Sequence, residues 1–81
     1  IIAYEPVWSI GTGLIPKTKD LFEIIKYIKN KIKNYKVLYG GSVNPKNINE
    51  LKSINNIDGF LVGGASQDAK KFIDIIKKTY N

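Results

Sequence analysis

The sequence of 81 residues contains no cysteine, no histidine, no methionine and no arginine. Without cysteine the chain has neither a disulfide framework nor thiolate chemistry. Without histidine, cysteine or clustered acidic residues, no metal site is expected. No apolar run approaches the roughly 20 residues of a membrane span, and the apolar residues 1–3 are too few for a secretion signal. We therefore expect a soluble, cytoplasmic chain that does not contact a membrane.

The positive charge of the chain comes from lysine alone, since all 13 basic residues are lysines and the formal net charge is +6. Proteins that read nucleic acid bases rely on the bidentate contacts of arginine, so no nucleic acid partner is expected. Lys26, Lys29 and Lys33 recur at helical spacing opposite an apolar stripe, which predicts a solvated helix face. The alternative is a basic interaction fragment, whose binding to polyanions would depend steeply on salt.

The length of the chain predicts marginal stability, because so short a domain buries only about 60% of the surface that its unfolded chain exposes. The sequence has no methionine to serve as an initiator, and its first residues read as the middle of a strand. We therefore expect residues 1–81 to be a single segment and a fragment of a longer reading frame. An intact small domain with a processed N-terminus is the alternative.

A pattern of strand, loop and helix occurs three times along the chain. Strands are predicted at about residues 1–5, 36–39 and 58–62, helices at about 18–33, 45–53 and 69–79, and a short helical turn at 65–68. The near-continuous apolar run of the first strand is typical of a strand covered on both faces. The expected apolar stripes are Leu21, Ile24, Ile25, Ile28 and Ile32 in the first helix and Phe72, Ile73, Ile76 and Tyr80 in the last.

This alternation predicts an α/β fold with parallel strands and right-handed crossovers. Composition does not distinguish an open doubly wound sheet from a closed barrel. Glycine-rich loops follow the carboxyl ends of the strands, two of them after consecutive final strands. Barrel enzymes often build a phosphate site from their last two such loops and a short extra helix, so the loops favour three βα units of a (β/α)8 barrel.

The first of these loops follows Glu5, which ends the first apolar strand. Pro6 restricts Glu5 to extended geometry, so the turn begins at a defined point. Gly11 and Gly13 can adopt positive φ and expose backbone N–H groups to an anion. This pattern predicts a catalytic carboxylate joined to a loop that moves. The ordinary alternative is a carboxylate that caps a helix or pairs with a lysine.

The two later loops are each built on a pair of glycines. Residues 39–42 read Tyr-Gly-Gly-Ser, and residues 59–66 carry Gly63 and Gly64 directly after the third strand. A lone glycine pair is most often a tight turn. Two such pairs at successive strand ends instead favour backbone N–H groups that converge on a phosphate, with the N-terminus of a helix behind them.

Taken in order, these three stretches resemble the triosephosphate isomerase family, and the resemblance covers almost the whole chain as its C-terminal portion. It implies the C-terminal βα units of a (β/α)8 barrel that interconverts glyceraldehyde 3-phosphate and dihydroxyacetone phosphate in glycolysis and gluconeogenesis. Glu5 would be the general base that moves a proton through an enediolate, without a cofactor or a metal. The remainder of the barrel would lie upstream, and the parent enzyme would be a homodimer.

The resemblance also assigns roles to individual positions. The backbone N–H groups of Gly11, Ser42, Gly63 and Gly64 would bind the substrate phosphate. The other implied positions belong to a closing lid and its hinges: Pro6, Val7, Trp8, Ile10, Thr12, Gly13 and Tyr39. The family's tyrosine at position 39 would bond a backbone N–H at the end of the lid, which here is Pro16 and has none. Ser42 is therefore expected to hold the lid alone.

The chain lacks the electrophilic histidine and the early lysine that the family places on other strands. We therefore expect the 81 residues alone to be inactive or nearly so. Two alternatives remain open on the residues themselves: another sugar-phosphate enzyme that shares the phosphate loops, and a phosphate-binding barrel fragment without isomerase activity.

Overall fold

The structure, a computed structural model, describes residues 1–80, so only Asn81 of the predicted segment lies outside the described residues. It contains three strands, β1 (Ile2–Tyr4), β2 (Val37–Gly40) and β3 (Gly59–Leu61), and three α-helices, α1 (Thr18–Lys31), α2 (Ile48–Lys52) and α3 (Ala69–Thr79). Two 3₁₀ turns, Val7–Ser9 and Gly64–Gln67, lie in the loops after β1 and β3. This order confirms the predicted succession of three βα units.

The strands form one parallel sheet in the order β1-β2-β3. Ile2 pairs with Val37 at the start of the first pair of strands, and Leu38 pairs with Gly59 in the second. Because the strands are parallel and in sequential order, their carboxyl ends lie along one edge of the sheet, and the three glycine loops begin there. The predicted parallel α/β fold is therefore confirmed.

The core lies on one face of the sheet, where the three helices pack. Val37 and Tyr39 of β2 are fully buried on this face. The helices contribute Leu21 and Ile25 from α1, Ile48 and Leu51 from α2, and Ile75 from α3. The expectation that the first strand is covered on both faces is wrong, because Ala3 is exposed. Successive right-handed crossovers in one direction place every helix on the same side of a sheet.

The ends of the first two helices differ from the prediction by a few residues. α1 stops at Lys31, and Ile32 leaves the helix in an extended conformation and is 45% exposed, so it is not part of the buried stripe. α2 begins only at Ile48, because residues 45–47 form a turn that Asn44 caps with its side-chain oxygen. No helix among residues 1–80 is both long and apolar enough to cross a membrane.

The predicted stripe of α3 is wrong. Ile75 is the buried residue of this helix, at 3% exposure, while all four predicted members are exposed: Phe72, Ile73, Ile76 and Tyr80. The helix packs beside α2, and the Lys78 ammonium donates to the Pro45 carbonyl, just before α2, at 3.1 Å. Since the described sheet ends at β3, the outer apolar side of α3 has no further strand beneath it.

A carboxylate joins the starts of β2 and β3 to α1. Asp58 Oδ2 accepts from the Val37 N–H at 2.8 Å and from the Lys29 ammonium at 2.9 Å. The Asp58 N–H donates in return to the Val37 carbonyl at 2.9 Å. The Lys29 hydrogen bond, followed by that of Val37, lowers the pKa of Asp58 below its usual value. The spacing of Lys29 suggested a solvated helix face. The structure shows instead that Lys29 forms an ion pair with Asp58.

Candidate functional site

Glu5 lies immediately after β1, at the edge where the strands end. Its residue is exposed, while Pro6 behind it is buried with φ −62° and ψ 123°. The Glu5 side chain crosses the end of the neighbouring strand at Gly40. A methyl group at Gly40 would lie 2.8 Å from Glu5 Cγ and 3.2 Å from Oε2. The absence of a side chain at position 40 therefore makes room for the carboxylate.

Residues 6–16, which we call the 6–16 loop, are anchored at Ser9, which is fully buried. The Ser9 N–H closes the 3₁₀ turn on the Pro6 carbonyl at 2.9 Å, and the Ser9 hydroxyl donates to the same oxygen at 3.0 Å. Around this anchor Val7, Trp8 and Ile10 are 83%, 53% and 51% exposed. Gly11 and Gly13 adopt φ of 70° and 79°. Residues 10–14 of the loop are therefore exposed.

Ser42 joins the 6–16 loop to the turn after β2. Its Oγ accepts from the Gly13 N–H at 2.8 Å and from the Thr12 N–H at 3.2 Å. The same hydroxyl donates to the Ser9 carbonyl oxygen. Ser42 has φ +37°, which is uncommon for a residue other than glycine. One hydroxyl group thus holds three positions of the loop.

Tyr39 contacts the loop through Ser9 and does not line the open cleft. The phenol is fully buried, and its oxygen lies 3.3 Å from Ser9 Oγ. Burial raises the pKa of the Tyr39 phenol, against the opposing effect of the Ser9 hydrogen bond. Gly41 has φ +140°, and a methyl group there would collide with the Ser9 hydroxyl. Tyr39 therefore bonds the start of the loop, whereas its end at Pro16 offers no N–H.

The loop after β3 contains the predicted short helical turn. Gly63 has φ −89° and ψ −109°, outside the usual regions of L-residues. The Ser66 N–H and hydroxyl both donate to the Gly63 carbonyl, at 2.9 and 2.6 Å. Asp68 then caps α3 by accepting from the N–H groups of Lys70 and Lys71. A methyl group at Gly64 would meet no atom within 4 Å, so protein packing does not require glycine there.

An open cleft of about 930 Å³ lies at the carboxyl ends of the strands, between the three loops. The structure brings together in its lining the predicted base and phosphate-binding positions and two loop residues: Glu5, Gly11, Ser42, Gly63, Gly64, Ile10 and Gly13. The remaining predicted loop and hinge residues do not line it: Pro6, Val7, Trp8, Thr12 and Tyr39. The Glu5 carboxylate and the three glycine loops therefore surround the same cleft.

Sequence reasoning missed several residues at this site. Lys46 and Lys71 line the cleft and add positive charge to it. Asn44 and Asn47 were missed as well, although the side-chain amide of each donates to the Ser42 carbonyl. Two asparagines three residues apart around a proline are a signal for a side-chain-stabilised turn. Among residues 1–80 no three His, Cys, Asp or Glu side chains lie close enough together to hold a metal ion.

Three parallel βα units with a cleft at their carboxyl ends are the architecture of part of a (β/α)8 barrel. A family model described as triosephosphate isomerase matches residues 1–79. The chain belongs to the triosephosphate isomerase family.

Curated relatives named triosephosphate isomerase support this assignment. The protein of Mycoplasma mobile is 53% identical over 78 residues, which are 95% of this chain and 32% of the relative. The protein of Thermodesulfovibrio yellowstonii is 44% identical over 84 residues, covering 94% of this chain and 34% of the relative. That of Amoebophilus asiaticus is 46% identical over 86 residues, covering 95% and 34%. The chain thus spans about a third of the length of these relatives.

Proposed function

We propose that the protein is a triosephosphate isomerase that interconverts glyceraldehyde 3-phosphate and dihydroxyacetone phosphate, and that Glu5 is its base. The observation that carries the proposal is the shared cleft, which Glu5 lines together with the glycine loops. The Glu5 carboxylate takes a proton from the carbon beside the substrate carbonyl. A proton passes between the two oxygens of the resulting enediolate, and Glu5 returns its own proton to the neighbouring carbon, so Glu5 ends in its starting state.

The substrate phosphate binds to backbone N–H groups of Gly11, Ser42, Gly63 and Gly64, all of which line the same cleft. Such groups suit a phosphate because each is a hydrogen-bond donor with no competing negative charge. Gly64 gives particular support, since neither a positive φ nor a neighbouring protein atom explains the glycine. A methyl group at position 64 would lie in open space beside the cleft that this residue lines.

The 6–16 loop acts as the lid, with residues 6–8 and 14–16 as hinges. Its tip is exposed, and one hydroxyl, Ser42 Oγ, accepts from the N–H groups of that tip, which supports this role. A lid that closes over the substrate excludes water and strengthens the electrostatic interactions of Glu5 with the reacting carbons. Ser42 is the latch, and Tyr39 supports the loop through Ser9.

Full activity requires more than these 81 residues. The chain has no histidine to polarise the substrate carbonyl, and it spans about a third of the length of its relatives. We therefore propose that the chain alone is inactive, and that other parts of a barrel supply the electrophile and cover the open face of the sheet. A homodimeric assembly, a cytoplasmic location and a role in glycolysis and gluconeogenesis accompany this proposal through the family resemblance.

The test is an isomerase assay on the protein at its natural length, beside a Glu5→Gln variant. We expect a loss of at least 100-fold in kcat, the lower bound of what a positioned base contributes. Glu23→Gln, on an exposed position of α1, makes the same chemical change away from the cleft and should retain activity. Full activity of Glu5→Gln would remove Glu5 from the reaction.

A phosphate-binding module without isomerase activity is the second candidate. It is favoured by one observation: the cleft is lined by all four phosphate-binding candidates, which bind a phosphate without any help from Glu5. This candidate predicts that the protein at its natural length binds inorganic phosphate but does not isomerise triose phosphates. Phosphate binding that survives Glu5→Gln, with no turnover by the unsubstituted protein, would establish it.

A further inference from the structure

The carbonyl of Ser42 is held by two side-chain amides. Asn47 Nδ2 donates to it at 2.6 Å, and Asn44 Nδ2 donates to it at 3.2 Å. Ser42 is also one of only two non-glycine residues with positive φ among residues 1–80, at +37°. A backbone conformation of this kind persists only where its surroundings hold it. The two amides are the groups in contact with the Ser42 carbonyl that can do so.

The amide oxygens of the same two asparagines are used in a different way. Asn47 Oδ1 accepts from the Asn44 N–H at 2.9 Å. Asn44 Oδ1 accepts from the N–H groups of Lys46 and Asn47, at 2.9 and 3.0 Å. The oxygens therefore hold residues 44–47 in a turn, and the nitrogens reach back to Ser42. These two roles are chemically separable.

Ser42 contacts the asparagines through its carbonyl and the 6–16 loop through its hydroxyl. Its carbonyl is bonded to the asparagine amides, while its hydroxyl accepts from Thr12 and Gly13 of the 6–16 loop. Because both groups belong to one residue, rotation of its backbone toward negative φ would move the hydroxyl away from the loop. The amides thus act on the loop through the conformation of Ser42.

We propose that Asn44 and Asn47 are positioning residues, whose amide donors hold Ser42 in its positive φ and thereby dock the 6–16 loop. The asparagines do not touch the reacting atoms and act through Ser42. The significance of this docking for catalysis rests on the proposed function, but the docking itself is a property of the protein without substrate. The competing explanation is that the asparagines only stabilise the turn at residues 44–47.

Asparagine-to-aspartate variants separate these two explanations. Aspartate keeps the acceptor oxygen that stabilises the turn, but it loses the N–H donor to the Ser42 carbonyl. Asn47→Asp removes the shorter bond and Asn44→Asp the longer one. Asn49→Asp, on an exposed position of α2, adds the same charge without removing either donor and is the matched control. Salt screens the added charge but does not restore a lost hydrogen bond.

The measurement is amide hydrogen exchange at Thr12 and Gly13 in the protein at its natural length, without ligand. We expect Asn47→Asp to accelerate exchange at both amides roughly fivefold to tenfold, as the loss of one hydrogen bond implies. The acceleration should persist at high salt and approach that of Ser42→Ala, which removes the acceptor itself. Asn49→Asp should exchange like the unsubstituted protein.

Unchanged exchange in Asn47→Asp, or acceleration only in Asn47→Ala, would leave the turn-stabilising role and overturn the proposal. If Asn47→Asp does not fold, Asn44→Asp gives the same test with a smaller expected acceleration. An active Glu5→Gln enzyme would refute the proposed role of Glu5 and leave this exchange result intact. Unchanged exchange beside an inactive Glu5→Gln enzyme would refute the positioning role alone.

Discussion

The side chain of Glu5 lies against the backbone of Gly40, so that a methyl group at position 40 would come within 2.8 Å of Glu5 Cγ. Gly40 ends β2, the strand that pairs with β1 immediately before Glu5. The position of the carboxylate in the cleft therefore depends on the absence of a side chain on the neighbouring strand. This contact gives a direct way to move Glu5 without changing its chemistry.

Gly40→Ala should lower kcat by at least tenfold while Glu5 itself remains present. The added methyl group meets Glu5 Cγ, Cδ and Oε2 within 3.2 Å, so the carboxylate must leave its present position. A displacement of about 1 Å in a catalytic group is enough to cost activity on the order of 100-fold. The measurement is kcat and KM of the protein at its natural length, together with its melting temperature.

Gly59→Ala is the control for this substitution. It also adds a methyl group to a strand glycine, but that group meets the end of the flexible Leu38 side chain at 2.8 Å. We expect it to change stability without a comparable loss of kcat. Equal loss of activity in the two variants would show that a general disturbance of the sheet, and not the Glu5 contact, limits the reaction.

The lowered pKa of Asp58 predicts that the protein loses stability at acidic pH. Its pKa is lowered by the hydrogen bond from Lys29 and then by that from the Val37 N–H. The stabilisation is therefore fully present above the usual pKa of 3.8 and is lost as pH falls through the lower pKa of the folded state. Asp58→Asn should reduce the free energy of unfolding at pH 7 by about 1 kcal/mol, as expected for a partly exposed ion pair.

The difference between Asp58→Asn and the unsubstituted protein should shrink as pH falls below 3.8, because the carboxyl group of the latter then becomes protonated too. Chemical denaturation at a series of pH values measures this difference and cancels the titration of other carboxylates. Lys29→Met, which removes the partner, should give a similar loss at pH 7. A difference that stays constant through the acid range would contradict the role of the Asp58 charge.

Ile75 and Ile73 of α3 should differ sharply in their contribution to stability. Ile75 is 3% exposed and packs in the core, whereas Ile73 is 51% exposed. Ile75→Ala should lower the free energy of unfolding by about 2–5 kcal/mol, the range for buried large-to-small substitutions. Ile73→Ala, the same change two residues away, should cost less than about 1 kcal/mol. Denaturant titration measures both.

An equal cost for the two substitutions in the protein at its natural length would show that another part of the molecule covers Ile73. A larger cost for Ile73→Ala than for Ile75→Ala would contradict the burial of Ile75 in the core. The same pair of variants in the 81-residue chain then shows whether the cover belongs to these residues.

The order of elements could be predicted because its signals are local. Apolar periodicity and punctuation by glycine and proline gave the three βα units, and the last helix was placed at the observed residues. The buried side of that helix could not be predicted in this way. Phe72, Ile73 and Ile76 are as apolar as Ile75, so hydrophobicity does not identify the buried residue. They are exposed on a helix whose sheet ends at β3 in the described residues.

The candidate site divides in a similar way. Glu5 and the glycine loops follow strand ends, and parallel strands bring such ends to one edge, so their meeting in the cleft follows from the pattern. The hydrogen bond from Asn47 to the Ser42 carbonyl does not follow from the pattern of residue types. It depends on the positive φ of Ser42 and on an amide that folds back five residues along the chain. A pattern of residue types does not specify a backbone angle of this kind.

Trp8 lies in the 3₁₀ turn that begins the 6–16 loop, and it is the only tryptophan in the chain. The residue is 53% exposed, so it is neither fully in water nor fully covered by protein. The near-ultraviolet emission of these residues, excited where tyrosine does not absorb, therefore comes from one position in the loop. The chain carries its own optical probe, and a change in the wavelength of that emission reports a change in the hydration of this loop.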